Sequence, residues 1–467
     1  MKQKREIKRK MEMKNENEIK NENEKRKMKR RTDMGKKEFL EDIYEAYVYA
    51  YPAVIEELTR RSYLNSKRGG EERLKTNTLY HTAALADATF KNVVAPNIDT
   101  VYSQAWLDLK DGALVLHKPQ LDRYVSIAIL DAYTNCEHIV GTGGDGAEET
   151  DYLITGPDYK GEIPAQYKEI ALPTNRNWLI IRTIIYGRED IEEVKRIQRE
   201  ITLSPFQNTT QEVLYPQYQE VLEYKPIEKI SSLSLKEFFG IFNELLKENV
   251  DAYAPENLKT WEKYGIKAGG IYEEKEEALE KELEEEIKKR FAHETAGGLK
   301  GDEKFPGWIY LDEAIGVYKD NYFLRANVAR NGLGANPVTM CVYPSAYTDS
   351  NGNELDGKKK YKIHFEKGQL PPVEKDGFWS ITLYDSKERY LVENEIGRYG
   401  INDRDALKAN EDGSIDILVQ KEKPKAEWIP NWLPSGEEAF NLILRIYLTK
   451  DEVITGEWKP PVIQEIS

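Results

Sequence analysis

Apolar and polar residues follow two different periods along the chain. From Phe39 to Leu64, apolar side chains recur at helical spacing, which predicts a helix or a helix pair interrupted at Pro52. From about residue 91 to residue 187, short runs rich in Val, Ile, Tyr and Trp lie between turn residues. These runs predict the strands Val101–Leu109, Ala113–Leu116, Tyr124–Asp131, Tyr152–Thr155 and Trp178–Ile185. Strands of this length and spacing favour a sandwich or barrel over a parallel sheet with crossover helices.

Helical patterns then separate this region from a second region of strands. Glu189–Leu203 has one apolar side and predicts a helix, and residues 234–294 are helical, beginning with the capping-box pattern Ser234-Leu-Lys-Glu237. From about Asn321 to Trp458 the strand pattern returns. Its predicted strands are Thr339–Tyr343, Lys360–Phe365, Phe378–Tyr384, Ser414–Val419 and Phe440–Tyr447.

These patterns predict a fold that is mainly β with helical segments, an α+β multidomain protein. It would contain two β-sandwich domains joined by a helical connector, and a length of 467 residues agrees with two or three domains. The predicted divisions are a disordered basic tail (1–37), an N-terminal helix plus β-sandwich domain (38–205), a helical connector (206–300) and a C-terminal β domain (301–467).

Charge divides the first residues from the rest. Residues 1–37 contain 16 Lys/Arg and 7 Asp/Glu, a charge of +9 that leaves −23 on the remainder of a chain of net charge −14. Because an acidic body repels phosphate backbones, no nucleic-acid partner is predicted.

Met34 is a second candidate start site. No run of residues has the length and apolarity of a signal peptide or a membrane span, so the sequence as written predicts a cytoplasmic protein.

Residue types that often build reactive centres are scarce. Cys136 and Cys341 are the two cysteines, and both lie in apolar strand-like segments where buried free thiols are expected, although a bridge between them stays open. The five histidines have no metal-ligand spacing, so neither a metal nor another cofactor is predicted. The chain also lacks a Gly-x-Ser-x-Gly nucleophile elbow.

Two stretches resemble a known family. The first contains Val94-Ala-Pro-Asn-Ile-Asp-Thr-Val-Tyr-Ser103 and Asp131-Ala-Tyr-Thr-Asn135. The second contains Asp320-Asn-Tyr-Phe-Leu-Arg-Ala326, Phe378-Trp-Ser-Ile-Thr-Leu-Tyr-Asp385 and Trp458-Lys-Pro-Pro461. Together they resemble the tandem arrangement of domains of unknown function 1254 and 1214, over nearly all of residues 39–462. The resemblance implies jelly-roll-like β domains with added helices and no established reaction, and many members of that family look secreted or periplasmic.

The strongest candidate chemistry lies at the start of the first predicted strand. If Asn97 and Asp99 share one strand face while Thr100 and Tyr102 share the other, an amide and a carboxylate can meet one ligand. Such a pair could bind hydroxyl groups of a sugar, hold a hard cation or supply a general base. The structural alternative is that Asn97 and Asp99 cap a turn at the strand entry.

Three further residues are candidates. Asp131 and Asn135 follow the strand Tyr124–Asp131 and precede a glycine-rich turn, a position suited to the mouth of a pocket. Arg325 lies in an aromatic and apolar segment, so it needs a carboxylate partner or binds an anionic substrate. Asp99 or Asp131 as its partner would make it a structural ion pair, and the structural role is the favoured one.

The function predicted from these residues is binding of a polar small molecule or glycan, with hydrolysis as an open option, at a carboxylate-containing site of the N-terminal β domain. Asp99 and Asp131 would be catalytic, and Asn97, Thr100, Tyr102, Asn135 and Arg325 would bind substrate. Whether the protein is an enzyme stays open. The alternative is a non-enzymatic assembly, adhesion or surface-interaction protein, which would associate with copies of itself.

Overall fold

The structure is a computed structural model that describes residues 37–65, 74–82, 84–91, 94–136, 138–207, 224–256, 258–295, 307–310 and 315–467. The predicted basic tail lies outside these residues except for Lys37. The helices are α1 over residues 37–65, α2 Ile191–Glu200, α3 Pro226–Ser232, α4 Leu235–Leu245, α5 Leu258–Trp261, α6 Glu277–Glu294, α7 Tyr322–Asn331 and α8 Asp451–Ile454. Short 3₁₀ segments cover Arg188–Asp190, Glu262–Tyr264 and Ala426–Asn431.

Among the described residues, the N-terminal half contains nine strands in two sheets. A five-stranded sheet has the order β1-β2-β8-β4-β5, and a four-stranded sheet has the order β7-β6-β3-β9. The strands are β1 Tyr80–His81, β2 Thr100–Asp108, β3 Leu114–Lys118, β4 Val125–Asp131, β5 His138–Gly141, β6 Thr150–Thr155, β7 Lys168–Ala171, β8 Arg176–Ile184 and β9 Thr202–Pro205.

The C-terminal half repeats this plan with its own two sheets. A five-stranded sheet has the order β10-β17-β13-β14, with β11 also paired to β17, and a four-stranded sheet has the order β16-β15-β12-β18. The strands are β10 Cys341–Val342, β11 Ser345–Ala346, β12 Lys360–Phe365, β13 Val373–Asp385, β14 Gly400–Asn402, β15 Ile415–Val419, β16 Trp432–Leu433, β17 Phe440–Thr449 and β18 Ile463–Ile466.

Each pair of sheets encloses its own apolar core. In the N-terminal half, Leu107 and Ile181 of the larger sheet pack with Leu116 of the smaller one. In the C-terminal half, Ile381 and Leu444 pack with other buried residues such as Ile363. Because neighbouring side chains of a strand point to opposite faces, every second residue enters the core. The predicted class, mainly β with helices in two β domains joined by a helical connector, is confirmed, while jelly-roll connectivity stays a prediction.

A third core belongs to the helices. Side chains of α1, α4, α6 and α7 pack together, and Ala132 and Tyr133 from the turn after β4 enter the same cluster. The predicted capping box at the start of α4 is present: Ser234 Oγ accepts from the Glu237 backbone N–H (3.2 Å), and Glu237 Oε2 accepts from the Ser234 N–H (2.8 Å). Within the described part of the chain, every helix is too short or too polar to cross a bilayer.

Two expectations about the helices were wrong. Helix α1 continues through Pro52, because its buried face is packed along its length and the missing proline N–H removes only one backbone hydrogen bond. The segment after Asn321 is helix α7 rather than strand. The Asn321 side chain accepts from the Leu324 N–H (3.1 Å), and the small residues Ala326 and Ala329 fit into the helical core.

The outer faces of the two five-stranded sheets meet each other. Tyr124, at the start of β4, contacts Phe378 of β13 and Tyr447 of β17, with ring centroids 5.2 and 5.5 Å apart. The Phe378 and Tyr447 rings stack at 4.1 Å. These aromatic contacts join the two β domains and bring polar side chains of both sheets into one buried layer.

Candidate functional site

Polar side chains from both β domains converge around these aromatic contacts. We call this group the interdomain cluster; it comprises Asn97, Asp99, Thr100, Tyr102, Arg182, Cys341, Tyr343, Ser380, Asp403, Arg404, Arg445 and Tyr447. Its members come from the entry and first residues of β2, from β8, from the segment directly after β14, and from β10, β13 and β17 or the residues beside them.

Asn97 shapes the chain just before β2. Its Oδ1 accepts from the backbone N–H groups of Asp99 (2.7 Å) and Thr100 (3.3 Å), which is the predicted turn cap. Its Nδ2 donates to the hydroxyls of Tyr102 (3.3 Å) and Tyr447 (2.6 Å). The expected division of Asn97 from Tyr102 onto opposite strand faces was therefore wrong, because β2 begins only at Thr100 and Asn97 lies in the turn.

Asp99 links the N-terminal domain to the C-terminal domain. It is 1% exposed, and its two carboxylate oxygens have different partners. Oδ1 accepts from Arg404 Nη2 (2.7 Å), and Oδ2 accepts from the Ser380 hydroxyl. Arg404 also contacts Asp403 (2.9 Å) and lies over the Phe378 ring (4.8 Å). Asp99 thus accepts one hydrogen bond from a guanidinium and one from a hydroxyl.

Two other arginines of the cluster have neutral partners. Arg182 of β8 donates to Asn336 Oδ1 (2.7 Å) and the Gly334 carbonyl (2.6 Å). Arg445 of β17 donates to Thr382 Oγ1 (3.1 Å) and the Ala95 carbonyl (3.0 Å). They are 6% and 4% exposed, and among the described residues neither forms a salt bridge. Each is a buried charge whose hydrogen-bond partners are neutral, although the Asp99 carboxylate also acts electrostatically on Arg445.

Burial keeps three ionisable side chains of the cluster, those of Cys341, Tyr343 and Tyr447, uncharged. Burial raises the pKa of the Cys341 thiol to about 12, even though Arg445 and Arg182 both act to lower it. Burial also raises the pKa values of the Tyr343 and Tyr447 hydroxyls well above their ordinary range. These groups are hydrogen-bonding hydroxyls and a thiol. Cys341 and Cys136 are buried as predicted, and no disulfide joins these two described residues.

The backbone is strained beside this cluster. Ala95, whose carbonyl accepts from Arg445, has φ of 48°, and Leu448, next to Tyr447 in β17, has φ of 49°. A side chain with a Cβ rarely adopts positive φ, and such strain concentrates at functional sites, where the surrounding structure holds it in place.

A second buried polar group lies at the other end of β4. We call it the Arg325 cluster; it comprises Glu56, Asp131, Asn135, Asp251 and Arg325. Arg325 is 0% exposed and donates from Nη1 to Asp251 Oδ2 (2.9 Å). Its guanidinium lies 5.3, 5.3 and 5.4 Å from the rings of Tyr49, Tyr133 and Tyr322. Its partner is therefore Asp251, and not Asp99 or Asp131.

Asp131 closes the turn that follows β4. It accepts from the backbone N–H groups of Tyr133 and Asn135 and from Asn135 Nδ2, each at 2.9 Å. Burial raises its pKa to about 6, with repulsion from Asp251 adding to the effect and Arg325 opposing it. The position is fully enclosed, so the expectation that Asp131 and Asn135 line the mouth of a pocket was wrong: they are 3% and 0% exposed.

The two clusters are separate sites. Tyr102 is opposite Arg182 in the sheet, Arg182 is opposite Ser126, and Asp131 is five residues further along β4. At the rise of a strand this separates the clusters by about 17 Å. The structure therefore brings together Asn97, Asp99, Thr100 and Tyr102 and excludes a shared site for Asp99 and Asp131.

Other polar positions contribute less. Glu137, beside the glycine-rich turn, lies outside the described residues, and the neighbouring His138 contacts the Ala171 carbonyl (3.1 Å). Throughout the ranges that the structure covers, no three His, Cys, Asp or Glu side chains are arranged to hold a metal ion.

Sequence reasoning missed Arg182, Arg404, Asp251 and Glu56. One signal was present: Arg182 is a single charge in the apolar run Leu-Ile-Ile-Arg-Thr-Ile-Ile, the same pattern that marks Arg325. Arg404 and Asp251 lie in segments rich in charged residues, where nothing in the local pattern indicates burial or partnership.

The comparisons with known proteins agree with this architecture. Residues 76–205 match a family model described as a protein of unknown function, DUF1254, and residues 340–451 match another with the same description, DUF1214. The crystal structure of the VPA0106 protein from Vibrio parahaemolyticus is similar, with a TM-score of 0.67 and 20% identity over 92% of this chain and 100% of that one. That likeness shows the fold.

A second solved structure, an uncharacterised protein from Burkholderia cenocepacia, aligns with a TM-score of 0.41 and 13% identity over 90% of this chain and 88% of that one. Among curated proteins, none matches this sequence.

Proposed function

The chain belongs to the family that combines the DUF1254 and DUF1214 domains, and we propose that it binds a small anion between its two β domains. One observation carries the proposal: Arg182 and Arg445, from facing sheets, are buried with only neutral hydrogen-bond partners among the described residues.

The charge balance of the interdomain cluster supports an anionic ligand. Three guanidinium groups, those of Arg182, Arg404 and Arg445, lie near two carboxylates, Asp99 and Asp403. Arginine does not lose its proton in a protein, so a buried excess of positive charge is relieved only by an anion. The planar donor fork of arginine suits a carboxylate, phosphate or sulfate group.

The remaining polar groups fit the same ligand. Hydroxyls of Tyr102, Tyr343 and Tyr447 lie near Arg182, and that of Tyr447 also lies near Arg445. The buried Thr100 Oγ1 has no hydrogen-bond partner among the described residues. Tyr102 and Tyr343 lie between the sheets and are partly exposed. Neutral hydroxyls can donate to an anion without adding charge.

The arrangement supports binding more than hydrolysis. The Cys341 thiol stays protonated near neutral pH because burial raises its pKa to about 12. The Ser380 hydroxyl donates to Asp99, and the other Asp99 oxygen accepts from Arg404. A general base needs to accept a proton from its substrate, and this carboxylate is already engaged on both oxygens. The predicted roles of Asn97, Thr100 and Tyr102 as ligand contacts remain part of the proposal.

The test is a thermal-denaturation titration of the full chain with acetate, succinate, citrate, phosphate and sulfate, against sodium chloride at equal ionic strength. At 100 times its dissociation constant, an anion stabilises the folded protein by about 2.7 kcal/mol. At least one anion should raise the melting temperature in a saturable way, and Arg182→Met and Arg445→Met should each abolish that rise.

The matched control is Arg188→Gln, an exposed arginine that follows β8. It should retain the full response. If no anion produces a saturable rise, or if the Arg182 and Arg445 variants respond as strongly as the control, the proposal is wrong.

A further inference from the structure

A small cavity lies between helix α1 and the five-stranded N-terminal sheet, outside the interdomain cluster. Its lining includes Glu56, Glu57 and Arg60 of α1, Trp106 of β2 and Arg176 of β8. The space open to the centre of a water molecule is about 10 Å³. One buried water needs about 10–15 Å³ by that measure, so the cavity has room for a single molecule.

Two of the residues that line this cavity each have a buried polar atom with no hydrogen-bond partner among the described residues. These atoms are Glu56 Oε2 and Trp106 Nε1, and their residues are 4% and 2% exposed. A buried polar atom without a partner loses its hydration without compensation, and ordered water is the common remedy. An acceptor and a donor on residues that line a cavity of this size favour a polar occupant.

We propose that the cavity is a binding site for one ordered water molecule and that Glu56 faces it as an uncharged carboxylic acid. The water accepts a hydrogen bond from the Trp106 Nε1–H and another from the protonated Glu56 carboxyl. Helix α1 and strand β2 are thereby joined through one solvent molecule.

The charged neighbours of Glu56 explain why it keeps its proton. On α1, Glu57 is held by Arg60 Nε (2.7 Å), and Arg176 of β8 also contacts Glu57 (3.3 Å). These two arginines are therefore engaged by the adjacent carboxylate. From the β4 turn, Asp131 repels a negative charge on Glu56, while a backbone hydrogen bond from Thr134 opposes that effect.

Burial of the Glu56 side chain also favours its protonated form. Burial, followed by the repulsion from Asp131 and Glu57, raises the pKa of Glu56 well above its ordinary value. Arg60 lowers it by less.

The first experiment is infrared difference spectroscopy of the full chain at neutral pH, which detects the C=O stretch of protonated carboxyl groups. Glu56→Gln should remove one such band. The matched control is Glu57→Gln, an adjacent residue that is equally buried but ion-paired, and it should leave the band in place. Loss of the band in the Glu57 variant, or its persistence in the Glu56 variant, would overturn the proposal.

A high-resolution crystal structure supplies the second measurement. The wild-type protein should show one water within hydrogen-bonding distance of Glu56 and Trp106 Nε1, and a dry cavity would exclude the site. If Glu56→Gln does not fold, Trp106→Phe serves instead. It removes the donor, so the water should lose occupancy while the infrared band of Glu56 remains.

Discussion

The interdomain cluster and the Arg325 cluster are both buried and polar, but they carry opposite excess charge. Around Arg325 there are three carboxylates, Glu56, Asp131 and Asp251, for one guanidinium. In the interdomain cluster the guanidinium groups outnumber the carboxylates. A carboxylate can take up a proton and become neutral inside the protein, whereas an arginine cannot lose one.

This difference separates two kinds of buried charge. The Arg325 cluster can balance itself with protons and so needs no ligand, which agrees with a structural role. Under the proposed function, an anion from outside balances the interdomain cluster. A buried arginine in an apolar segment therefore does not by itself indicate a ligand site. The charge of its partners distinguishes a structural role from a ligand-binding role.

The largest effect is expected for Arg325→Met. Removing the guanidinium leaves Asp251 buried without its partner, which costs about 3–5 kcal/mol of unfolding free energy. Urea unfolding measures the change. The double variant with Asp251→Asn should recover part of the loss, and equal values for the single and double variants would show that the ion pair contributes little.

The next effect is a pH dependence due to Asp131. Burial raises its pKa from 3.8 to about 6 in the folded protein, so the folded state binds this proton more tightly than the unfolded chain. The stabilisation is fully present below pH 4 and is lost as the pH rises through 6, a change of about 3 kcal/mol.

Asp131→Asn should remove this dependence without a large change in packing. The unpartnered Asn135 Oδ1 can accept from the new amide. Unfolding free energies of both proteins from pH 4 to pH 8 provide the measurement, and parallel curves would assign the proton to another group.

A smaller effect is expected for Arg182→Met in anion-free buffer. No carboxylate among the described residues loses a salt bridge with it, so the expected cost is about 1–2 kcal/mol, from the Asn336 and Gly334 oxygens that lose their donor. The loss should be smaller than that of Arg325→Met by urea unfolding. A loss equal to or above that of Arg325→Met would remove the distinction between the two clusters.

The smallest effect belongs to an exposed arginine. Arg196 contacts Glu193 and Glu200 on the surface of α2, and its side chain is 39% exposed. Surface ion pairs contribute little because water and salt screen them, so Arg196→Gln should leave the melting temperature unchanged. A clear decrease would mean that charge pairing alone, without burial, stabilises this fold.

Much of the fold could be predicted because its causes are local. The core strand Lys360–Phe365 has the predicted bounds. Strand β2 begins and ends one residue earlier than predicted, and β8 begins two residues earlier and ends one residue earlier. The capping box at Ser234 needs only four consecutive residues. Helix α7 was missed since its aromatic and branched residues fit a strand, and its burial against α1 depends on distant contacts.

The candidate site could be predicted only in part, because its partners are far apart in sequence. Asn97 and Tyr447 are 350 positions apart, and Asp99 and Ser380 are 281 apart. The motif around Asp99 indicated polar chemistry at the strand entry, and this agrees with its position in the cluster. No pattern in a single sequence shows that Arg404 meets Asp99 or that Asp251 meets Arg325.

The facing of the two five-stranded sheets has a consequence for biosynthesis. The N-terminal sheet is complete once β8 has left the ribosome, but Gly334, Asn336 and Tyr447 come much later in the chain. At a synthesis rate of about 5–20 residues per second, roughly 10–50 s pass between the synthesis of Arg182 and that of Tyr447. During that interval its charge stays hydrated on an open surface, so the nascent N-terminal domain is more soluble than its finished interior suggests. We therefore expect the polar layer between the domains to protect the partly synthesised protein from aggregation as well.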